Sequence, residues 1–413
     1  MAMQKQVSRR SFLKGMAFAA GAAPMVIPAS ALGADGKPAP SSRLTVGAIG
    51  LGGRGTDDMR GFLGHNEVQV VTVCDVRQEH RQRAKGLVDS KYGNGDCTMV
   101  GDFRAITGRP DIDVVMIGTP DHWHAIVAVE AMKSGKDVFC EKPETLTIRE
   151  GRIMVETARR YARVFSGGSQ RVWEDYNWFH KMVRGGAIGQ VEEAWVDCWG
   201  PSDECFLPPE PVPPGLDWEM WLGPAPWAPF NHGRLNFRPW RDYSGGGMTD
   251  WGAHNFGGAL FTCGLHETGP VEVIPPDGKD VTLLTYKFAN GIVFHHKGGW
   301  TGNICFRGSD GEIPERSGGR KPRRKDAPNI FIPNYRGKGG LIGDFLYCVK
   351  TRERPFRDIE VAHRTVTVCH LGNIAYRLGR PFKWDPVKEE IVGDAEANRW
   401  VDRPKRAPWR LQA

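Results

Sequence analysis

Short apolar runs alternate with longer helical patterns through the first part of the chain. The apolar runs, which indicate buried strands, cover 46–49, Val68–Cys74, 113–118, Asp137–Cys140 and 163–166. Helical patterns between them cover Gln78–Tyr92, 125–134 and 148–161. Because strands that alternate with helices of this length form parallel sheets, the pattern predicts an α/β domain with a doubly wound parallel sheet over 43–168.

The pattern changes after residue 168. Residues 190–199 alternate apolar and polar positions like a half-exposed strand, and further strand-like runs cover 281–288, 292–298 and 303–307. Asn290 and Gly291 lie between two of these runs and form the signature of a hairpin turn. The pattern therefore predicts a second, α+β domain over 169–385 with an open antiparallel sheet.

Helices and loops complete the second half. Helical patterns cover 172–184, 247–263, 341–351 and 361–378, and we expect the late helices to be able to pack on the first domain. Residues 201–229 are rich in Pro and Trp, which is typical of an ordered loop over a site. The basic, glycine-rich segment 316–325 predicts a solvated loop, and 386–413 form a C-terminal tail.

The first 31 residues have the features of an export signal and are excluded from the fold. Residues 8–14 match the twin-arginine motif through Arg9 and Arg10, an apolar stretch of 13 residues follows, and 29–31 are a small-residue cleavage site. That stretch is too short for a bilayer, which needs ~20 residues. We therefore predict export to the periplasm by the twin-arginine route, a linker at 32–42, and no membrane attachment once the signal is removed.

Composition excludes some partners. The 413 residues are enough for two domains, with 40% hydrophobic and 25% charged residues. The net charge of +7 falls to +3 without the four basic residues in 1–31, so a nucleic-acid partner is not indicated. None of the nine cysteines forms a C-x-x-C motif, which argues against a disulfide framework.

The first predicted strand ends in a glycine-rich loop, Gly50-x-Gly52-x-x-Gly55. In a dinucleotide site the first glycine permits a tight turn, the second lets the backbone approach a pyrophosphate, and the third lets the helix pack on the strand. Asp75 ends the second strand, 20 residues beyond Gly55, where a carboxylate would accept hydrogen bonds from ribose. The alternative is an ordinary strand–loop–helix unit.

Other strand ends carry candidate chemistry, since ligands bind beyond the carboxyl ends of parallel strands. Pro120, Trp123 and His124 follow one strand, and Glu141 and Lys142 follow another. A lysine near a nicotinamide can polarise a substrate hydroxyl. The alternative is a surface lysine at a strand end.

A second cluster lies in the other domain. Asp250 and His254 are four residues apart, so on a helix they share a face and the carboxylate can orient the imidazole as a general base. The alternative is a capping Asp and a structural His. The pairs His122/His124 and His295/His296 lack a consistent set of partner ligands, so we predict no metal site.

These motifs resemble those of the glucose–fructose oxidoreductase / inositol dehydrogenase / MocA (Gfo/Idh/MocA) family. The glycine loop, Thr-Pro-Asp-x-x-His at 119–124, Glu-Lys-Pro at 141–143 and Gly-Gly-x-x-x-Asp-x-x-x-His at 245–254 occur in the family's order and spacing, over about 43–385. The export signal, the Trp-rich loop and 371–384 look like its exported branch. Two features differ. The motif here is not the Tyr-x-Thr-His type found in the family's NAD-dependent glycoside hydrolases. Asp121 stands where Asn is common in the family.

The resemblance implies a nicotinamide cofactor and an acid/base set. It implies NAD, with NADP as an alternative, bound by Gly50, Gly52, Gly53, Arg54, Gly55, Asp75, Thr119, Pro120, His124, Glu141 and Lys142. It implies Lys142, Asp250 and His254 as catalytic residues, with His254 as the acid/base. We expect Trp123 and Arg171 to join those three in the sugar site, because aromatic faces and arginine suit polyols.

The predicted function is that of an exported oxidoreductase acting on a secondary hydroxyl or keto group of a sugar or cyclitol, with a tightly bound, recycled cofactor. One alternative is a redox-neutral epimerase or glycoside-cleaving enzyme that works through a keto-sugar. The other is a non-catalytic periplasmic sugar-binding protein. The resemblance also implies a homodimer or homotetramer formed through the C-terminal sheet.

Overall fold

The structure is a computed structural model that describes residues 38–299, 304–314 and 326–413. Leu44–Ala413 form one compact unit, and a 3-10 helix covers Pro40–Ser42 in the segment before it. The predicted export signal at 1–31, residues 32–37 of the predicted linker, and the predicted basic loop at 316–325 lie outside the described residues.

The first sheet has six parallel strands in the order β3-β2-β1-β4-β5-β6. The strands are β1 Leu44–Ile49, β2 Val68–Cys74, β3 Thr98–Val100, β4 Val114–Ile117, β5 Asp137–Cys140 and β6 Phe165–Gly167. Strand order reverses between β1 and β4, so the predicted doubly wound sheet is confirmed. This switch point is where such sheets bind ligands.

Helices cover both faces of this sheet. They are α1 Gly53–Leu63, α2 Gln78–Tyr92, α3 Arg104–Thr107, α4 Asp121–Lys133 and α5 Ile148–Arg160. A capping box between Thr147 and Glu150 starts α5. Helix α4 begins four residues earlier than the predicted 125, because Pro120 precedes it in an extended conformation and the motif at 121–124 forms its first turn.

The second sheet has eight strands in the order β12-β11-β7-β10-β9-β8-β13-β14. They are β7 Val191–Cys198, β8 Glu272–Ile274, β9 Leu284–Lys287, β10 Val293–Gly298, β11 Ile304–Gly308, β12 Gly311–Ile313, β13 Phe382–Asp385 and β14 Glu390–Ile391. The predicted hairpin joins β9 and β10. The sheet is antiparallel except at one position, where β7 and β10 pair in parallel.

The helices of the second half are α6 Arg171–Glu174, α7 Asn177–Arg184, α8 Trp218–Leu222, α9 Gly247–Asp250, α10 Gly252–Thr262, α11 Gly340–Thr351, α12 Ile359–Leu378 and α13 Ala395–Asn398, with a 3-10 helix at His232–Leu235. The structure divides each of the predicted helices at 172–184 and 247–263 into two. Helix α11 packs on the first sheet, where Phe345 contacts Phe62 and Phe139 with ring centroids 6.2 and 5.8 Å away. No helix in the described ranges has both the length and the hydropathy needed to cross a bilayer.

Residues 201–243 form a segment beside the first sheet, which we call the roof. A small aromatic core holds this segment together, and it includes Trp218, Trp221, Phe230 and Tyr243. Two backbone hydrogen bonds join the segment to the start of α2 and to the loop after β2, from Gln78 N to Gly215 O at 2.8 Å and from Asp217 N to Val76 O at 3.1 Å. The C-terminal tail adds a third attachment, from Arg406 Nε to Gly223 O at 3.0 Å.

Candidate active site

A cavity of about 610 Å³ lies along the carboxyl edge of the parallel sheet, at its switch point. The glycine loop and Asp75 line one end, and Glu141 and Lys142 line the other. Roof residues close the outer side, namely Met220, Trp221, Leu235, Phe237 and Arg238. The cavity therefore brings together the ends of strands that lie far apart along the sequence.

The glycine loop fits a dinucleotide. Gly50 has φ of +79°, and a Cβ on it would clash with the backbone of Thr119. A Cβ on Gly52, by contrast, would meet no atom within 4 Å, so the backbone there borders open space in the cavity. A diphosphate can approach this backbone and the amino end of α1, which begins at Gly53.

Asp75 lines the cavity and also shapes the loop. Its Oδ2 accepts a hydrogen bond from Leu51 N at 2.6 Å and lies 3.1 Å from Nδ1 of His80. Its Oδ1 accepts from Arg77 N at 2.8 Å. The carboxylate stands where a ribose would bind, within a wall that also contains the cations Arg77 and Arg83.

Arg54 and Glu141 form an ion pair in the cavity wall. Arg54 Nε lies 3.0 Å from Glu141 Oε1, and another guanidinium nitrogen lies 2.8 Å from Asp58 Oδ1. Burial, together with the nearby charge of Glu141, raises the pKa of Asp58 to about 8. Arg54 thus carries a salt bridge to the Glu-Lys-Pro loop while it faces the cavity.

Lys142 is held by Asp250 across the two domains. Its Nζ donates to Asp250 Oδ1 at 2.6 Å and to the Asp250 carbonyl oxygen at 2.9 Å. Arg238 Nε donates to the same Oδ1 at 3.1 Å. Burial alone would raise the pKa of Asp250, but Lys142 and Arg238 outweigh it and hold that pKa below its ordinary value.

The predicted contact between Asp250 and His254 is wrong. His254 Nδ1 is buried without a hydrogen-bond partner among the described residues, while Asp250 Oδ1 binds the two cations. Charge-assisted hydrogen bonds are stronger than a bond to a neutral imidazole, and neutral is the form that burial favours here. Burial, then the charge of Lys142, lowers the pKa of His254 well below its ordinary value.

His124 does not line the cavity, which corrects its predicted role in cofactor binding. Its Nδ1 lies 2.8 Å from Pro143 O and its Nε2 lies 2.8 Å from Thr119 O. Burial lowers the pKa of His124 to about 4. The ring therefore links the loops that follow β4 and β5 from outside the cavity lining, while Thr119 and Pro120 themselves face the cavity.

The two predicted sugar-binding residues lie in different places. Trp123 lines the cavity but is only 4% exposed, and its Nε1 donates to the carbonyls of Met220 and Trp221, each at 3.1 Å. Arg171 is absent from the cavity lining, as are Asp250 and His254, and its charge acts on His254, so its place in the sugar site stays a prediction. It pairs with Asp175 at 2.7 Å and stacks over Trp251 at 4.9 Å.

Arg238 is the main residue that the sequence reasoning missed. It lines the cavity together with Lys142, pairs with Asp250 and stacks over Phe237 at 4.9 Å. The Trp-rich composition of 201–229 pointed to a loop over a site, but Arg238 lies beyond that range. No local spacing links it to Asp250, so only the folded chain shows the pair.

The histidine pairs are engaged in protein hydrogen bonds. His122 Nε2 lies 2.9 Å from Trp221 O, and His296 lies 2.8 Å from both Cys198 O and the Tyr376 hydroxyl. The described residues contain no group of three or more His, Cys, Asp or Glu side chains placed to hold a metal ion.

Two family models match the chain. The model described as "Oxidoreductase family, NAD-binding Rossmann fold" matches residues 44–169, and "Oxidoreductase family, C-terminal alpha/beta domain" matches 187–411. Both are models of the Gfo/Idh/MocA group, and the second alone covers more than half of the 413 residues.

Individual proteins also resemble the chain, with 19–32% sequence identity in the three examples that follow. A glycosyl hydrolase family 109 protein from Shewanella sp. (strain W3-18-1) is 32% identical over 157 residues, 36% of this chain; the chain thus spans 33% of that relative's length. A myo-inositol 2-dehydrogenase from Lactobacillus plantarum has a TM-score of 0.58 at 19% identity, covering 83% of this chain and 99% of that chain. An aldose-aldose oxidoreductase from Caulobacter crescentus, complexed with glycerol, gives 0.58 at 20% identity with the same coverage.

Proposed function

The chain belongs to the Gfo/Idh/MocA oxidoreductase family, and from that premise we propose that it oxidises and reduces a secondary hydroxyl or keto group of a sugar or cyclitol. One observation carries the proposal. The cavity that fits a dinucleotide ends at Lys142, which a carboxylate from the other domain holds in place. A bound NAD supplies the hydride acceptor or donor, and the chain's own residues handle the hydroxyl proton.

Lys142 orients the reacting oxygen. A lysine ammonium has three donors, and two of these bind Asp250 through its Oδ1 and its backbone carbonyl. The third is available for the substrate oxygen, where it stabilises negative charge as a hydroxyl loses its proton. Asp250 is a positioning residue for this lysine, and Arg238 supports it with a second ion pair.

His254 is the proposed base. Because its pKa lies well below the ordinary value, the imidazole is neutral at pH 7 and can accept a proton. Its Nδ1 is buried, so we assign the proton transfer to Nε2; the residue is 4% exposed and lies beyond the lining of the cavity. The lysine and the histidine then act on the same hydroxyl from two domains.

We expect the cofactor to stay bound between turnovers. Export by the twin-arginine route would carry a folded protein, with its cofactor, into a compartment that lacks a pool of NAD. The roof supports retention, because backbone and side-chain hydrogen bonds attach it at Gly215, Asp217 and Gly223. Slow release at ordinary association rates corresponds to sub-micromolar affinity or better.

A retained cofactor must be restored within the site. A second substrate can reoxidise it, and the similarity to an aldose-aldose oxidoreductase supports that route. Alternatively one sugar is oxidised, epimerised or cleaved, and reduced again, and the similarity to a glycosyl hydrolase family 109 protein favours cleavage as the second candidate. Incubation with aryl glycosides separates the two, since only cleavage releases the phenol without a second sugar.

We expect the oligomer to form through the second sheet, as the resemblance implies. Trp195, His295 and Arg307 lie on neighbouring strands there, and Arg307 stacks over Trp195 at 5.2 Å. We propose that two copies associate through this face. Sedimentation at low concentration tests the proposal, and a monomer at micromolar concentration would refute it.

Mixing the purified protein with D-glucose, D-galactose and myo-inositol tests the activity, with nicotinamide absorbance as the signal. Lys142→Met and His254→Ala should each slow cofactor reduction by roughly 10²-fold or more while the nucleotide stays bound. The exposed Lys133→Met is the matched control. If nucleotide is bound and none of these compounds reduces it, the result would favour the alternative of a non-catalytic sugar-binding protein.

A further inference from the structure

Glu144 is a buried acid that the proposed function does not use. It follows the Glu-Lys-Pro motif directly, and its side chain is fully buried. Neither carboxylate oxygen receives a hydrogen bond from another residue in the described part of the chain. An isolated carboxylate is strongly disfavoured in a protein interior, so Glu144 needs either a proton or solvation from within.

Arg357 is a buried cation near Glu144, and it also has a polar atom without a hydrogen-bond partner. The residue is 1% exposed, and one guanidinium nitrogen lies 3.4 Å from Thr365 Oγ1. Its Nε has no hydrogen-bond partner among the described residues. Arg357 and Glu144 are thus opposite charges that influence each other without a direct hydrogen bond. Buried polar groups that lack protein partners are where proteins hold internal water.

Both residues meet at the end of β6. Gly167 N donates to Arg357 O at 2.9 Å, and a Cβ on Gly167 would clash with Oε1 of Glu144. Ser166 Oγ and Gln170 Oε1 belong to the same segment, and they too are buried without a partner in the described structure. The end of β6 therefore gathers polar atoms that have no protein partner.

The same region reaches His254. Ser169 Oγ donates to Ala253 O at 3.4 Å, immediately before His254 at the start of α10. One turn further along α10, a Cβ on Gly257 would lie 3.7 Å from a terminal nitrogen of Arg357. The unpartnered Nδ1 of His254 thus belongs to the element that flanks the group around Glu144 and Arg357.

We propose that Glu144, Arg357 and His254 Nδ1 line an internal hydrated pocket through which His254 passes protons to Glu144. This inference rests on the proposed function, in which His254 takes the proton of the substrate hydroxyl. Glu144 does not touch the substrate and acts through the imidazole. A second substrate, or the same sugar after alteration, would then recover its proton from Glu144.

The proton transfer balances without another reactant. The O–H bond of the substrate breaks as its proton moves to His254 Nε2, and a bound nicotinamide would take the hydride from the C–H bond. The proton on His254 Nδ1 moves through water to a Glu144 oxygen, which leaves the imidazole neutral and the glutamic acid protonated. Reduction of a keto group reverses each movement, so hydride and proton are both kept inside the protein between the two halves.

Charge around Glu144 suits this role. Groups that face it are Arg357 in the loop before α12, Cys369 on α12, and Cys140, Glu141 and Lys142 in its own segment. Burial raises the pKa of Glu144 to about 7, and Arg357 opposes that effect. A group with such a pKa can both accept and return a proton near neutral pH.

Infrared spectroscopy of the full chain tests the pocket without turnover. The wild-type protein should show the carbonyl stretch of a buried carboxylic acid that is lost as pH rises through about 7. Asp58 and Asp121 contribute to the same signal, so the Glu144 part is read as the difference between the wild type and Glu144→Gln. Glu144→Gln should lose that part, and the exposed Glu156→Gln should retain it. Absence of the signal from the wild-type protein, or a signal of undiminished intensity in Glu144→Gln, overturns the proposal.

Single-turnover reduction of the bound cofactor tests the link to His254. With the sugar or cyclitol that reduces the wild-type protein, the rate should rise with pH through about 7, because only ionised Glu144 accepts a proton. Glu144→Gln should be slower by about tenfold or more and should lose this rise. Glu144→Asp keeps an acid but withdraws it by one methylene, so it should be slower with the pH dependence retained.

The two proposals fail in different ways. If no sugar reduces the wild-type cofactor, the proposed function fails, while the infrared titration still reports on Glu144. If the wild-type cofactor is reduced and Glu144→Gln keeps both the rate and the pH dependence, the proton pathway is overturned. Should Glu144→Gln not fold, an unchanged rate in Glu144→Asp overturns it equally.

Discussion

Replacing Asp121 by Asn should stabilise the protein at neutral and alkaline pH. Asp121 begins α4 at the cavity wall and is 3% exposed, and its Oδ2 has no hydrogen-bond partner in the described residues. Burial raises its pKa from 3.8 to about 7; the Ser244 hydroxyl opposes this rise, the Asp250 carboxylate adds to it, and the charges of Arg238 and Lys142 oppose it. Asn has nearly the same shape and carries no charge at any pH.

The size of the effect follows from that pKa. A tenfold change in proton affinity corresponds to about 1.4 kcal/mol, so a rise from 3.8 to about 7 is equivalent to roughly 4 kcal/mol. The folded state binds this proton more tightly than the unfolded state does. The stabilisation is therefore fully present below pH 3.8 and is lost as pH rises through about 7.

Urea denaturation of the wild type and of Asp121→Asn, from about pH 4.5 to about pH 8, measures this difference. The free energy of unfolding of the variant should gain on that of the wild type as pH rises, by roughly 3 kcal/mol over this range, and then stay constant above about pH 7.5. Asp280→Asn, at an exposed position, controls for the amide substitution. A difference that does not change with pH would show that the Asp121 carboxyl is ionised in the fold, which refutes the reasoning.

Three further predictions concern the cofactor and export. Gly55→Ala should abolish nucleotide binding and cost about 1–3 kcal/mol or more in stability, because its Cβ would clash with Gly50 O; Gly86→Ala, where a Cβ meets no atom within 4 Å, should be neutral or stabilising. Calorimetry should show NAD binding more tightly than NADP, because Asp75 repels a 2′-phosphate, and tighter binding of NADP would reject this role. Arg9→Lys with Arg10→Lys should hold the protein in the cytoplasm, and unchanged export in cell fractionation would point to another route.

The first domain was predictable because its signals are local. Strand β2 and helix α2 have the bounds that hydrophobic periodicity indicated, and the glycine loop and Asp75 lie where their spacing placed them. The start of α4 was missed because its first turn, Asp-His-Trp-His, is buried on all sides, so polar and apolar residues do not follow a helical period there. Strands β8 and β13 are three and four residues long, too short for a periodic signal.

The candidate site was predictable in its members and not in its pairing. Lys142, Asp250 and His254 carry family motifs, but which of them bind each other depends on competition between charged and neutral partners. Arg238 decides that competition together with Lys142, and it comes from a loop with no motif of its own. His124 also belongs to a motif, yet it contacts the carbonyl oxygens of Thr119 and Pro143 and so links the loops after β4 and β5.

Release of nucleotide from the protein as purified shows whether the chain retains NAD and uses it on a sugar or cyclitol. The full chain is prepared without added cofactor, dialysed, and divided into a sample for acid extraction and a sample for mixing with D-glucose, D-galactose and myo-inositol. We predict stoichiometric NAD in the extract, and reduction of that NAD by at least one of these compounds in the wild type but not in Lys142→Met. A protein that is empty, binds added NAD only weakly and reduces none of it would contradict the account.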